Sequence, residues 1–186
     1  KMNRREFLTL SGAAVVALSL AGCGGGPSTP VAPTGKEAEL VEAINKVWKE
    51  KFDAGQVTYE KLTFNQDAVR AVRGYGRVFE KANETPHKLT PSDYAIVLEE
   101  SDGFEAEMLK KYGENSLAGA AGVSEPSSEN VVTLECEYSC EDAAVRAFVE
   151  KLLSNSDSRK AEFISVYLPV VQGKTYMTAV VFRNNK

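Results

Sequence analysis

Histidine is nearly absent from this chain: there is one, His87, alongside one tryptophan and three cysteines in 186 residues. A single histidine excludes any site in one molecule that needs two imidazoles, the ligands that supply most transition-metal affinity at neutral pH. No G-x-x-x-x-G-K-[ST] phosphate loop, G-x-G-x-x-G dinucleotide fingerprint, HExxH helix or G-x-S-x-G nucleophile elbow occurs. No period of about 20 to 50 residues, the mark of a repeat protein, is visible. Positive charge is also short, with 22 Lys and Arg against 26 Asp and Glu and a formal net charge of −4. Residues 1 to 22 contribute +2 through Lys1, Arg4, Arg5 and Glu6, leaving −6 on the remainder. Nucleic-acid binding needs clustered Lys and Arg, so no nucleic-acid partner is expected.

Long apolar runs are missing too, apart from Phe7 to Ala21. That run would span roughly 22 Å as a helix at about 1.5 Å per residue. A bilayer core needs roughly 30 Å, so the run fits a signal segment better than a permanent span. Its charged head, Asn3-Arg4-Arg5-Glu6-Phe7-Leu8, resembles the twin-arginine export signal. Leu20-Ala21-Gly22-Cys23 resembles a bacterial lipobox, in which Cys23 receives lipid and the preceding residues are removed. Gly24 to Gly35 is rich in Gly, Pro, Ser and Thr. Such a segment buries too little apolar surface to offset its ordering entropy, and it reads as a tether. The expected organisation is therefore a signal peptide over 1–22, a lipidated cysteine and tether over 23–35, and one domain over 36–186. The expected location is the extracytoplasmic face of a cell membrane, with the lipid on Cys23 as the membrane contact.

Within the domain, Leu40, Val41, Ile44, Val47 and Trp48 recur at helical spacing over Lys36 to Phe52. Leu62-Thr63-Phe64 reads as extended. Asn65 reads as the N-cap of a second helix, which runs through Ala68, Val72, Tyr75 and Phe79 toward Asn83 and Pro86. Gly74 and Gly76 weaken that helix but let a neighbour approach closely. His87 falls just past its end, where a protonated imidazole would complement the helix dipole. Ser92 to Leu98 carries no clear pattern, and Phe104 to Lys111 reads as a helix. Leu117 to Ser128 is small and polar and reads as a surface loop, followed by a short strand at Val131 to Leu134. Glu141 to Leu153 is amphipathic, Asn155 to Ser158 a turn, and Ile164 to Val171 with Tyr176 to Phe182 a hairpin joined at Gln172-Gly173-Lys174. Cys136 and Cys140, in C-E-Y-S-C, are candidates for a local disulfide or stand as two free thiols. Zinc partners are missing, and a thioredoxin motif needs two intervening residues. The fold class expected from this order is α+β, helices covering a small antiparallel sheet that ends in a C-terminal β-hairpin.

Several stretches resemble the CAP superfamily, or SCP-like extracellular domain, particularly its bacterial secreted branch. Leu40-Val41-Glu42-Ala43-Ile44-Asn45 is similar to its first helix. Leu62 to Phe79 is similar to its "L-t-y-N-e-e-L-a-x-a-A-r-x-Y-A-x-x-m" segment. Continuing without a gap, the family's first site histidine falls on His87. Asp102-Gly103-Phe104 and Leu109 to Gly113 resemble "pf-x-r-l-k-x-x-G". Ser128-Glu129-Asn130-Val131-Val132 resembles "G-E-N-v-a", with Gly113-Glu114-Asn115 as a competing match farther from the following helix. Val166 to Phe182 resembles the family's closing hairpin.

The resemblance implies a three-layer α-β-α sandwich with a cleft at which His87, Glu129 and Ser158 are the candidate residues. Ser158 stands where the family has its second histidine, in Asn155-Ser156-Asp157-Ser158-Arg159. Tyr167 and Pro169 replace strand glycines, and Pro169 implies an edge strand or a bulge. With one imidazole, the cleft is expected to hold no metal and no cofactor, and no catalytic residue is assigned. The leading expectation is a non-enzymatic binding module at the cell surface, its partner a small-molecule, lipid or envelope ligand. The alternatives are a hydrolase-like or metal-dependent enzyme using the same cleft, and a purely structural envelope protein.

Overall fold

The computed structural model describes residues 33–186, so Cys23, the expected signal peptide and most of the expected tether lie outside the described residues. Helix α1 (Gly35–Asp53) buries Leu40, Val41, Ile44, Val47 and Trp48. Helix α5 (Asp142–Leu152) buries Val145, Phe148, Val149 and Leu152. Both stripes follow the three- and four-residue spacing that puts side chains on one helical face. They meet Ala118, Ile164, Val166, Ala179 and Val181 in one apolar cluster.

The strands that supply those residues form the central sheet. They are β1 (Thr63–Phe64), β3 (Leu117–Ala121), β5 (Phe163–Tyr167) and β8 (Thr178–Phe182), in the order β1-β5-β8-β3. On its other face, Val180 and Phe182 pack with Ala68, Ala71 and Val72 and with Phe104 and Met108. Those residues belong to a 3-10 turn (Gln66–Ala68), α2 (Arg70–Ala82) and α4 (Phe104–Tyr112). Alternation along β8 sends Ala179 and Val181 one way and Val180 and Phe182 the other, so helices cover both faces of the sheet. A third cluster joins Tyr75, Val78 and Phe79 of α2 to Leu89, to Val97 of α3 (Pro91–Ser101), and to Val123, Val132 and Leu134.

The α+β class holds, with two corrections. The sheet is mixed: β3–β8 and β5–β8 are antiparallel, but β1 pairs with β5 in parallel, Thr63 with Phe163 and Phe64 with Ile164. Two side-chain amides extend this edge. Asn45 brackets Leu62, accepting from its N–H at 2.8 Å and donating to its carbonyl at 3.0 Å. Gln66 does the same for Val166, at 2.9 and 2.8 Å. Second, Leu117–Ala121 is a strand of the central sheet, not surface loop. Its sequence, LAGAA, lacks the β-branched and aromatic residues that mark strands. Smallness is what the position needs, since a Cβ on Gly119 would run into the Ser158 hydroxyl and the Leu152 carbonyl.

The closing hairpin is present. Tyr167 faces Thr178, and Val170 of β6 (Val170–Val171) faces Thr175 of β7 (Lys174–Thr175). These pairs keep one register, so Pro169 interrupts the ladder without producing a bulge. Pro169 lies past β5 and leads into β6, which pairs only with β7 in a two-stranded sheet, so the proline sits at a sheet edge, as expected. Gly76 of α2 provides the close approach expected of it: the Tyr167 ring occupies the space a Cβ would take, and its hydroxyl donates to Glu80 at 2.7 Å.

Candidate functional site

The chain around His87 is fixed from both sides. Helix α2 ends at Asn83 in the left-handed conformation, φ 52°, which turns the backbone out of the helix. His87–Lys88 then forms the short strand β2, antiparallel to β4 (Val131–Val132), with His87 opposite Val132. Leu89 N–H continues the pairing to the Asn130 carbonyl at 2.9 Å. Thr90 and Asp93 close a capping box at the start of α3, with Pro91 in its first turn.

The His87 ring sits between two carboxylates. Nδ1 lies 2.5 Å from Glu84 Oε1 and Nε2 lies 2.8 Å from Asp93 Oδ2. The side chain is 11% exposed. A neutral imidazole has one N–H and one bare lone pair, so only the doubly protonated ring donates to both neighbours. Burial works most strongly against that charge. The hydrogen bonds and negative charges of Asp93 and Glu84 together outweigh it, and the histidine pKa is raised above its ordinary value. Asp93 is the mirror case. Burial opposes its ionised form, but hydrogen bonds from the Thr90 N–H, from His87 and from the Thr90 hydroxyl hold its carboxyl below the ordinary value. In this state the ring has no lone pair for a proton, a metal or a substrate.

Glu129 lies near β2 in the chain paired with it, but it is not a partner of the ring. It is exposed, and among the described residues its carboxylate makes no hydrogen bond or ion pair. Ser158 is elsewhere. It is wholly buried in a 3-10 turn (Ser156–Lys160) against β3, and its hydroxyl donates to the Ala118 carbonyl at 2.9 Å. That contact is on the α1–α5 side of the sheet, whereas His87 lies beside the cluster of α2 and α3. A hydroxyl sealed in the core and committed as a donor has no route to a substrate.

Cys136 and Cys140 are free thiols. Cys136 is half-buried, and burial pushes its thiol pKa up, away from the thiolate that reactive cysteines need. Cys140 is exposed, and its thiol donates to the Tyr138 hydroxyl at 3.3 Å. A surface depression lined by Leu98, Ser101, Asp102, Gly103 and Ala106 lies at the turn between α3 and α4. It includes neither His87, Glu129 nor Ser158.

The residues that decide the state of His87 are Glu84 and Asp93. Thr90-Pro91-Ser92-Asp93 carries the capping-box spacing, so Asp93 had a signal in the sequence; Glu84 had none beyond lying three residues before the histidine. No family model, curated protein or solved structure matches this chain.

Proposed function

We propose that this protein is a lipid-anchored extracytoplasmic domain of CAP/SCP-like architecture, tethered through Cys23, that serves as a non-enzymatic binding module at the cell surface. The anchoring part rests on the order of Arg4-Arg5, the apolar run, Cys23 and the Gly/Pro-rich tether in the sequence. The architectural part is supported by helices on both faces of a small sheet that ends in a hairpin. Gly113-Glu114-Asn115, the competing "G-E-N" match, leads directly into β3, while Ser128-Glu129-Asn130 leads into β4.

The observation that carries the non-enzymatic reading is the engagement of the chemically capable side chains. Both nitrogens of His87 are taken by carboxylates and the Ser158 hydroxyl is sealed in the core. A general base needs a lone pair within reach of its proton, and a nucleophile needs access. The partner class is a small molecule, lipid or cell-envelope fragment.

Two measurements test this reading. Cys23→Ser should move the protein from the membrane fraction to the soluble fraction or leave it unprocessed; fractionation and migration identical to the parent would remove the anchor. The full chain, incubated with envelope lipids and cell-wall fragments, should retain a component without converting it. Turnover lost in Glu129→Gln or Ser158→Ala would replace the binding reading with the hydrolase-like one.

A further inference from the structure

The His87 ring, held between Glu84 and Asp93, bridges the exit from α2 and the entry to α3, two elements that also pack through Phe79 and Val97. We propose that His87, Glu84 and Asp93 form a protonation-controlled latch, closed while the ring carries two protons and opened at Glu84 when it loses one.

The asymmetry of the two carboxylates sets which side opens. Asp93 is buried and already accepts from the Thr90 N–H at 2.7 Å and the Thr90 hydroxyl at 2.8 Å. Placing a bare ring lone pair against it would set two acceptors together away from water. Glu84 has a side chain 56% exposed, so water replaces its lost partner at little cost. The remaining proton therefore stays on Nε2, toward Asp93. The Nδ1 lone pair then faces the Glu84 carboxylate at 2.5 Å, and acceptor–acceptor repulsion drives Glu84 into solvent.

Among the described residues, Glu84 and Asp93 are the charged groups that act on the ring. Glu84 comes from its own loop and Asp93 from α3, while β4 faces it through uncharged Val132. Lys88, next in the chain, is exposed.

The backbone on either side stays tied as the latch opens. Asn83 Oδ1 accepts from the Gln172 N–H at 2.7 Å, and the Thr85 hydroxyl accepts from the Leu134 N–H at 3.0 Å. Thr90 keeps Asp93 in the capping box, so α3 keeps its start. What changes is local and chemical: the closed latch offers no lone pair, and the open one presents Nδ1 of a neutral imidazole beside a freed carboxylate. Rising pH thus turns His87 from a donor to both carboxylates into a donor to Asp93 alone. The latch follows from side-chain geometry and does not depend on the binding-module proposal.

The chain has one histidine, so a single Cε1–H resonance of the full-length protein reports the ring without assignment ambiguity. Its titration midpoint is expected above the ordinary value of 6.5, and it should fall in Glu84→Gln, which keeps a hydrogen-bonding oxygen but removes the charge. Backbone amides of Glu84, Thr85, His87 and Lys88 should shift with that midpoint, while those from Ser92 to Ser101 stay in place. At high pH, nitrogen-15 shifts should show the proton on Nε2. A midpoint at or below the ordinary value, no change in Glu84→Gln, or a proton on Nδ1 at high pH would each overturn the latch. Glu84 is exposed, so the test does not hinge on a variant that fails to fold.

Discussion

His87 and Ser158 were singled out for one cleft, and they occupy opposite kinds of surroundings. His87 sits at the margin, 11% exposed, between a buried carboxylate and an exposed one. Ser158 sits in the core, wholly buried, with its hydroxyl on the Ala118 carbonyl and its side chain against Gly119. At the margin, water can replace a lost partner, so a polar group there can change state without unfolding the chain. In the core nothing replaces it, so the polar group is fixed and its role is to hold the packing. Two polar side chains assigned to one cleft therefore become a responsive element in one place and a structural pin in the other.

The core half of that comparison breaks most severely at Gly119. A Cβ there meets the Ser158 Oγ, which can rotate, and the Leu152 carbonyl, which is held in the backbone. Gly119→Ala should lower stability by about 2–3 kcal/mol, the upper part of the usual overpacking range. Ser158→Ala should lose less, about 1–2 kcal/mol, for a buried hydrogen bond whose acceptor is left without its donor. Both are read by urea denaturation. The double variant sharpens the point: removing the Ser158 hydroxyl relieves one of the two overlaps, so the combined loss should be smaller than the two single losses together. Strict additivity would mean that Ser158 and Gly119 are not in contact.

What the sequence disclosed divides along the same line between periodic and non-periodic information. The stripes of α1 and α5 and the closing hairpin carry regular apolar spacing, and each appears within a residue or two of its expected range. Asn65 was legible as a cap, accepting from the Asp67 N–H at 2.8 Å, but it caps the 3-10 turn Gln66–Ala68 that leads into α2 and not α2 itself. Leu117–Ala121 was not legible, because its strand state is imposed by what packs on it rather than by its own propensity. The parallel pairing of Thr63–Phe64 was hidden for a different reason: two residues carry no alternation, and their partner lies 100 positions away. At the candidate site, His87 does lie past the C-terminal end of α2, but in the short strand β2, which the sequence did not announce. The dipole account of it was too simple, since its charge is set by Glu84 and Asp93. Ser158 was placed by motif alignment, and a motif does not state which side of a sheet a turn will dock on.

The smallest effect is the most informative about the margin. The folded pKa of His87 is raised above its ordinary value of 6.5, and that of Asp93 is lowered from 3.8. A raised histidine pKa contributes stability that is fully present below the unfolded value and is lost as pH rises through the folded value. A depressed aspartate pKa contributes stability that is present above its unfolded value and is lost as pH falls through the folded one. The bridge therefore stabilises most between the two ordinary values, and its histidine part fades on the alkaline side. Glu84 is exposed, and exposed ion pairs are screened, so the histidine contribution should be about 1 kcal/mol or less. Urea denaturation of the parent and of His87→Gln near pH 5 and near pH 9 isolates it. The stability difference between the two proteins should be larger near pH 5 and shrink near pH 9. A difference that stays constant would mean that folding leaves the ring's proton affinity unchanged, and one that grows toward pH 9 would mean that folding favours the neutral ring; either result would remove the bridge as a source of pH-dependent stability.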